Sequence, residues 1–146
     1  MSTSAPRAYD CASEAETEAL AAALAPSLKP GDVLLLQGGL GAGKTTFTRG
    51  LARALGHPEA VLSPTFQLLR EHRGGILDLF HIDLYRLSGP AEAQSLGLEE
   101  YFDGEGVSVV EWPERLGALA PAGAWALRFE VLPGEDGVRR VTVEAP

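Results

Sequence analysis

Residues 38–45 read Gly38-Gly39-Leu40-Gly41-Ala42-Gly43-Lys44-Thr45, and this stretch decides the fold. It matches the pattern G-x-x-x-x-G-K-[ST], in which the backbone N–H groups of a glycine-rich loop wrap phosphate groups. Glycine suits such a loop because it adopts positive φ angles at little steric cost. The partial positive charge at the start of the following helix favours the same anion.

The residues around this loop supply the context that the motif requires. An apolar run at residues 33–37 precedes it and is typical of a strand buried on both faces of a parallel sheet. Residues 45–55 follow with apolar side chains on one helical face, and Gly56 is suited to end that helix. A strand, a glycine loop and a helix in this order predict a site for ATP and Mg²⁺.

Each loop residue has a predicted part in that site. We expect Lys44 to reach the β- and γ-phosphates, the Thr45 hydroxyl to bind Mg²⁺, and Thr46 to contact the α-phosphate. The predicted nucleotide contacts in the loop are Gly38, Leu40, Gly41, Ala42, Gly43, Lys44, Thr45 and Thr46.

Strand and helix patterns alternate along the rest of the chain. Strands are predicted at residues 7–11, 66–70, 76–84, 107–110, 125–132 and 138–144, the last two forming a closing hairpin. A capping box at residues 13–16 opens a helix that ends near Pro26, and short helices are predicted at 92–96 and 113–118. The pattern predicts one α/β domain over residues 1–146, with a loose tail at 1–7. Its architecture is a three-layer P-loop NTPase-like sandwich around a mostly parallel, mixed central sheet.

Composition narrows the range of partners and compartments. The formal net charge of −8 disfavours strong direct binding of nucleic acid, because proteins that bind nucleic acid usually carry a basic patch. The nearest basic feature is the pair Arg139-Arg140, which is interpreted as a structural part of a strand and not as a nucleic-acid site. No apolar run approaches the roughly 20 residues that span a bilayer, and no secretory signal is visible. A single cysteine, Cys11, cannot form an internal disulfide, so a cytoplasmic location without membrane association is expected.

Two acidic residues are candidates for the metal side of the site. Glu111 follows the apolar run 107–110, and Asp83 follows Phe80-His81-Ile82. Both end predicted strands, where α/β proteins gather their ligands. Either residue can bind Mg²⁺ directly or through water, or orient an attacking water; alternatively, one of them only pairs with an arginine such as Arg86. Both are predicted to be catalytic residues.

Other side chains have a functional and a structural interpretation. Thr65 stands in a turn, where its hydroxyl either senses a γ-phosphate or caps the turn. Trp112 follows Glu111 directly and either walls the site or packs in the core. His81 shares a strand face with Asp83, two residues away, and either faces the site or is a structural histidine. His57 and His72 are expected at the surface.

The order of these motifs resembles the TsaE family, small bacterial ATPases of tRNA threonylcarbamoyladenosine biosynthesis. The resemblance covers roughly residues 8–145. It rests on residues 38–46, Ser63-Pro64-Thr65-Phe66, His81-Ile82-Asp83-Leu84-Tyr85-Arg86-Leu87, Leu96-Gly97-Leu98-Glu99-Glu100-Tyr101-Phe102 and Glu111-Trp112-Pro113-Glu114. The phosphate loop is shared by many families, whereas His-x-Asp-x-Tyr-Arg followed by Glu-Trp-Pro is much more specific.

The resemblance implies a P-loop α/β ATPase that works with the TsaD and TsaB proteins. Those partners transfer a threonylcarbamoyl group to the adenosine beside the anticodon of tRNA. Family roles then fall to Lys44 for phosphates, to Thr45 and Glu111 for Mg²⁺, and to Asp83, Thr65 and Trp112 for ATP turnover.

The resemblance leaves some features of the site less well marked. Gly39 departs from the family, whose members often carry an acid there. The adenine pocket is expected near Glu14 and Arg140. Two other classes stay open from the sequence: a small-molecule or nucleoside kinase, and a regulatory switch that hydrolyses little ATP.

Overall fold

One mixed sheet organises the computed structural model, which describes residues 5–39, 41–57, 68–134 and 137–146. Within those residues the sheet has seven strands in the order β1-β7-β6-β2-β5-β4-β3. The strands are β1 (Arg7–Cys11), β2 (Val33–Gly38), β3 (Leu69–His72), β4 (Leu79–Asp83), β5 (Val107–Glu111), β6 (Trp125–Val131) and β7 (Arg139–Glu144).

Parallel pairing is confined to the centre of the sheet. Strand β2 lies between β6 and β5, so that Leu34 faces Trp125 on one side and Val109 on the other. Strand β5 also pairs in parallel with β4. The outer strands β1, β7 and β3 pair antiparallel with their neighbours, which makes the sheet mixed, as the sequence predicts. The four parallel strands therefore end at one common edge.

Helices cover both faces of this sheet and complete the three layers. They are α1 (Glu14–Leu24), α2 (Lys44–Ala54), α3 (Pro90–Gln94) and α4 (Glu99–Phe102), with 3₁₀ helices at Ala25–Ser27 and Pro113–Leu119. On one face α1 and α2 pack over Leu34, Leu36 and Val109. On the other, α3, α4 and the second 3₁₀ helix pack over Val33, Val110 and neighbouring residues. Alternate residues of the same strand thus supply two separate cores.

The predicted capping box opens α1. The hydroxyl of Ser13 accepts a hydrogen bond from Glu16 N at 3.2 Å. The Glu16 carboxylate accepts one from Ala12 N, one residue before the cap, also at 3.2 Å. The box therefore ties down the chain before the helix as well as its first turn. None of the described helices has the length and apolar character to cross a membrane.

The structure differs from the sequence expectations mainly at element ends. Arg7, which was included in the predicted tail and also in the predicted strand at 7–11, belongs to β1 and pairs with Val143. The strand predicted at 76–84 narrows to Leu79–Asp83, since Ile76 N bonds to Leu55 O at the end of α2 instead of joining the sheet. The short helix α4 was not predicted. Residues 66 and 67 of the strand predicted at 66–70 lie outside the described residues.

The close approach of α1 and α2 gives a first prediction. A Cβ added to Gly50 would lie 2.6 Å from Glu18 Cα and 2.7 Å from Glu18 O, both rigid backbone atoms. Alanine favours a helix interior by about 1 kcal/mol over glycine, but overpacking costs about 1–3 kcal/mol. We expect Gly50→Ala to lower the free energy of unfolding by about 1–2 kcal/mol in urea titrations.

Gly39→Ala is the matched control for this experiment, because a Cβ there meets no atom within 4 Å. We expect its free energy of unfolding to equal or slightly exceed that of the wild type. Equal stability of the two variants would contradict tight packing between α1 and α2.

Candidate functional site

A cavity of about 890 Å³ opens where the central parallel strands end. This volume lies within the usual range for ligand sites, about 300–1,000 Å³. The predicted site residues that line it come from the start of α1, the glycine loop with α2, and the ends of β4 and β5. They are Glu14, Gly41, Gly43, Lys44, Thr45, Thr46, Asp83, Glu111 and Trp112.

The glycine loop has a backbone that side chains would obstruct. Gly41 and Gly43 have φ angles of 75° and 106°, in the left-handed region that favours glycine. At Gly38 a Cβ would lie 2.6 Å from Phe129 O on the neighbouring strand β6. Ala42 points its methyl group into the core instead of the cavity. Leu40, which the sequence also places in the loop, lies outside the described residues.

The start of α2 differs from that of α1 in a way that suits an anion. Ser13 caps α1 with its hydroxyl, but the residue that precedes α2, Gly43, offers no side-chain cap. The first turn of α2 also carries no acidic side chain. The first N–H groups of a helix have no partner within it, and here they lie at the cavity beside Thr45 and Thr46.

Lys44 is a buried cation, with only 5% of its surface exposed. Its Nζ donates a hydrogen bond to Gly38 O at 2.8 Å and lies 4.3 Å from the centre of the Trp112 ring. Burial lowers the pKa of Lys44 below its usual value, and the carboxylates of Glu111 and Asp83 oppose this shift. The loop carbonyl and the aromatic face thus hold the ammonium at the wall of the cavity.

Trp112 links this lysine to the surface. Its φ of 59° is the one positive φ among the described residues other than glycine, a conformation that bulky side chains rarely adopt. The turn directs the indole over Lys44 on one side and toward Tyr85 on the other, with 4.9 Å between the two ring centres. Tyr85 is nearly half exposed. Both interpretations of Trp112 hold in part, because it lines the cavity and also packs against the core beneath α3 and α4.

Asp83 and Glu111 are neighbours, because they face each other across the parallel β4–β5 pair. Asp83 Oδ1 accepts a hydrogen bond from Tyr85 N at 2.9 Å. Burial raises the pKa of Asp83, the bond from Tyr85 lowers it, and the Glu111 charge adds to the rise. Glu111 is itself buried, and His81 Nε2 lies 2.6 Å from its Oε2.

These donors suit Mg²⁺ better than a softer metal. The hydroxyl of Thr45 and two carboxylates line one cavity and offer oxygen atoms only. The described residues contain no cluster of three or more His, Cys, Asp or Glu side chains arranged to hold a metal by themselves. Magnesium commonly keeps several waters and binds through one or two carboxylates together with substrate phosphates. Thr45, Glu111 and Asp83 therefore fit a metal that arrives with a nucleotide.

Of the other predicted site residues, Arg140 does not line the cavity and Thr65 stays a prediction. Arg140 is not part of the cavity wall, because its guanidinium pairs with the Asp10 carboxylate, at 2.8 Å for Nε to Oδ1. Residues alternate sides along a strand, so its neighbour Arg139 lines the cavity instead and donates to Gly41 O at 3.2 Å. Thr65 lies outside the described residues.

Sequence reasoning missed part of the cavity wall. Arg139 was interpreted as decorating a strand, although counting strand alternation from the buried Val141 would have separated it from Arg140. Arg86 lines the cavity too; the sequence marks it as an ion-pair partner for an acid and as an arginine near the site, without a firm role. His57 is buried, contrary to expectation, with its Nε2 2.7 Å from Leu77 O.

The fold and its glycine loop define an α/β protein of the P-loop NTPase-like class. The family model of the threonylcarbamoyl adenosine biosynthesis protein TsaE matches residues 11–141. The chain belongs to the TsaE family, which confirms the resemblance drawn from its motifs.

Individual relatives agree with this assignment. A Bacillus subtilis protein named tRNA threonylcarbamoyladenosine biosynthesis protein TsaE is 45% identical over 89% of this chain and 80% of its own. A Treponema pallidum protein of the same name is 43% identical over 80% of this chain and 84% of its own. The crystal structure of Bacillus subtilis YdiB superposes with a TM-score of 0.84 at 36% identity, covering 99% of this chain and 88% of that one.

Because the pKa of Asp83 is raised, we predict that removing its charge increases the free energy of unfolding, and that this increase depends on pH. A carboxyl group whose pKa is higher in the folded than in the unfolded state destabilises the fold once pH rises through the folded pKa. Asparagine keeps the acceptor for Tyr85 N but carries no charge. We expect Asp83→Asn to raise the free energy of unfolding of the ligand-free protein at pH 7. The gain should disappear below about pH 4, where aspartate is protonated in both states.

Asp10→Asn provides the control of opposite sign. The hydrogen bond from Arg140 lowers the pKa of this exposed carboxyl, so its charge favours the folded state above the unfolded pKa. We expect Asp10→Asn to cause no gain at pH 7 and at most a small loss. A less stable Asp83→Asn protein at pH 7 would contradict the unfavourable burial of Asp83.

Proposed function

We propose that this protein binds ATP with Mg²⁺ and hydrolyses it slowly. In this proposal it acts in the cytoplasm to support the TsaD and TsaB proteins in threonylcarbamoylation of tRNA. The observation that carries the proposal is one cavity in which an uncapped helix start and a buried lysine meet two carboxylates at strand ends. The relatives, which are named for tRNA threonylcarbamoyladenosine biosynthesis, support the pathway. The cytoplasmic location also fits Cys11, which is buried and free.

The residues of the loop would bind and orient the triphosphate. Backbone N–H groups at the start of α2 would donate to phosphate oxygens, and the Lys44 ammonium would neutralise phosphate charge. Lys44 is held by Gly38 O and Trp112, so its charge is already in place at the cavity wall. Arg86 and Arg139 add positive charge to the same wall.

The carboxylates would serve the metal and the attacking water. Thr45 and Glu111 would bind the Mg²⁺ that accompanies ATP, and the metal would supply charge neutralisation at the phosphates. Asp83 would accept a hydrogen bond from the attacking water, which directs a lone pair of that water toward the phosphorus. Phosphoryl transfer depends mostly on such positioning and on charge stabilisation.

The two lysines of the chain allow a matched test of ATP binding. Lys44→Ala removes the buried ammonium, whereas Lys29→Ala removes an exposed one that is not among the residues lining the cavity. We expect Lys44→Ala to weaken ATP binding or abolish hydrolysis while the protein remains folded by circular dichroism. Lys29→Ala should match the wild type in both. Unchanged ATP affinity and hydrolysis in Lys44→Ala would refute the proposed site.

A second test concerns the partners. The protein is acidic and poorly suited to hold tRNA alone, and an arginine supplied by a partner can raise phosphoryl-transfer rates by about 10³–10⁵. We expect slow phosphate release by the isolated protein and a clear increase when TsaD and TsaB are added. Trp112→Ala should reduce that increase, because it removes the aromatic support between Lys44 and Tyr85.

Trp125→Phe is the control for the partner experiment, since Trp125 packs in the core and its indole N–H has no hydrogen-bond partner among the described residues. Phosphate release is measured with and without partners at fixed Mg²⁺ and salt. Full activity of the isolated protein, unchanged by the partners, would instead indicate a self-sufficient ATPase.

A further inference from the structure

His81 is a buried polar residue to which the proposed function gives no role. It lies on β4 with 0% of its surface exposed. Its neighbours on this face of the sheet include Leu79 and Val109, which belong to an apolar core. Burying a polar side chain in such surroundings is unfavourable unless its hydrogen bonds are made. Packing alone would favour an aliphatic residue at this position.

One short hydrogen bond offsets the cost of burying the His81 side chain. His81 Nε2 lies 2.6 Å from Glu111 Oε2, a short distance for a hydrogen bond to an ionised acceptor. A carboxylate only accepts, so the imidazole donates through Nε2–H. The other ring nitrogen, Nδ1, has no hydrogen-bond partner among the described residues. A proton on Nδ1 would therefore be buried without an acceptor, which favours the Nε2–H tautomer.

The register of the strands sets the direction of this contact. Asp83 pairs with Glu111 at the ends of β4 and β5. His81 pairs with Val109, two residues earlier on each strand and therefore on the same face of the sheet. His81 therefore approaches Glu111 from inside the sheet, while Glu111 lines the cavity. One carboxylate oxygen is engaged by the imidazole, and the other is left for a ligand in the cavity.

We propose that His81 is a positioning residue that fixes the Glu111 carboxylate for Mg²⁺. The glutamate side chain has three torsions, and the bond to a fully enclosed ring restricts them before any ligand arrives. Partners that orient a metal-binding carboxylate typically change metal affinity or activity by about 10–100-fold when they are removed. This role rests on the proposed function, because it requires Glu111 to serve the metal.

Two substitutions of His81 test this role by removing or replacing its Nε2–H donor. His81→Leu fills the space without a donor, and His81→Gln offers an amide N–H in place of Nε2–H. Two metal constants report on His81→Leu: the Mg²⁺ concentration for half-maximal hydrolysis, and the Mn²⁺ dissociation constant of the ATP complex measured by electron paramagnetic resonance. We expect His81→Leu to raise both by about 10–100-fold. ATP affinity in EDTA should stay unchanged, and His81→Gln should restore most of the metal affinity.

His57→Leu is the matched control, because His57 is also buried and bonds through Nε2, but to the backbone atom Leu77 O. It should lower stability without moving either metal constant. If His81→Leu does not fold, His81→Asn, whose shorter amide does not reach Glu111, should show the same metal defect. Wild-type metal constants in folded His81→Leu or His81→Asn, or an equal loss of ATP affinity in EDTA, would overturn the positioning role.

A measurement on the ligand-free protein tests the contact independently of ATP. Long-range ¹H–¹⁵N spectra of the three imidazoles, with His81 assigned from its loss in His81→Gln, should show Nε2 protonated and Nδ1 unprotonated. The Nδ1–H tautomer would overturn the proposal even if ATP and Mg²⁺ bind normally. A wild-type protein that binds neither ATP nor Mn²⁺ would refute the proposed function, and the metal role of His81 with it.

Discussion

The parallel pairing of β2 with β5 determines where the rest of the site lies. Leu36 faces Glu111 across this pair, so the strand that leads into the glycine loop and the strand that carries the acid end at the same edge. Strand β4 extends the arrangement and brings Asp83 beside Glu111. At the end of β2, Gly38 approaches Phe129 of β6 so closely that a side chain would meet its carbonyl oxygen. Topology and one glycine thus bring a cation and two acids together.

That gathering of charge has an energetic consequence. Lys44 and Glu111 are both almost fully buried, and burial shifts the pKa values of Lys44 and Asp83 toward their neutral forms. The protein offsets part of this cost with internal partners: a loop carbonyl and an aromatic face for the lysine, and an imidazole for the glutamate. Such a site is less stable than an apolar core of the same size would be, as expected where charge serves a ligand.

Much of this arrangement could be predicted from the sequence. The glycine loop, the strand before it and the acids after apolar runs are local patterns, so β2 and α2 were predicted correctly, and Asp83 and Glu111 end strands as predicted. Side-chain partners that depend on packing could not be predicted in this way. Whether Arg139 or Arg140 faces the cavity depends on the register of β7 against its neighbours. Whether His57 is buried depends on how the segment after α2 meets Leu77.

Lys44, Trp112 and Tyr85 lie against one another between the glycine loop and the surface. The Lys44 ammonium bonds to Gly38 O, and an anion that attracted it would compete with both that carbonyl and the Trp112 ring. Trp112 holds a left-handed backbone conformation, so its position depends on the packing around it. Tyr85, which is partly exposed, lies against the other side of the same indole, so the contacts of Trp112 reach from the cavity wall to the surface.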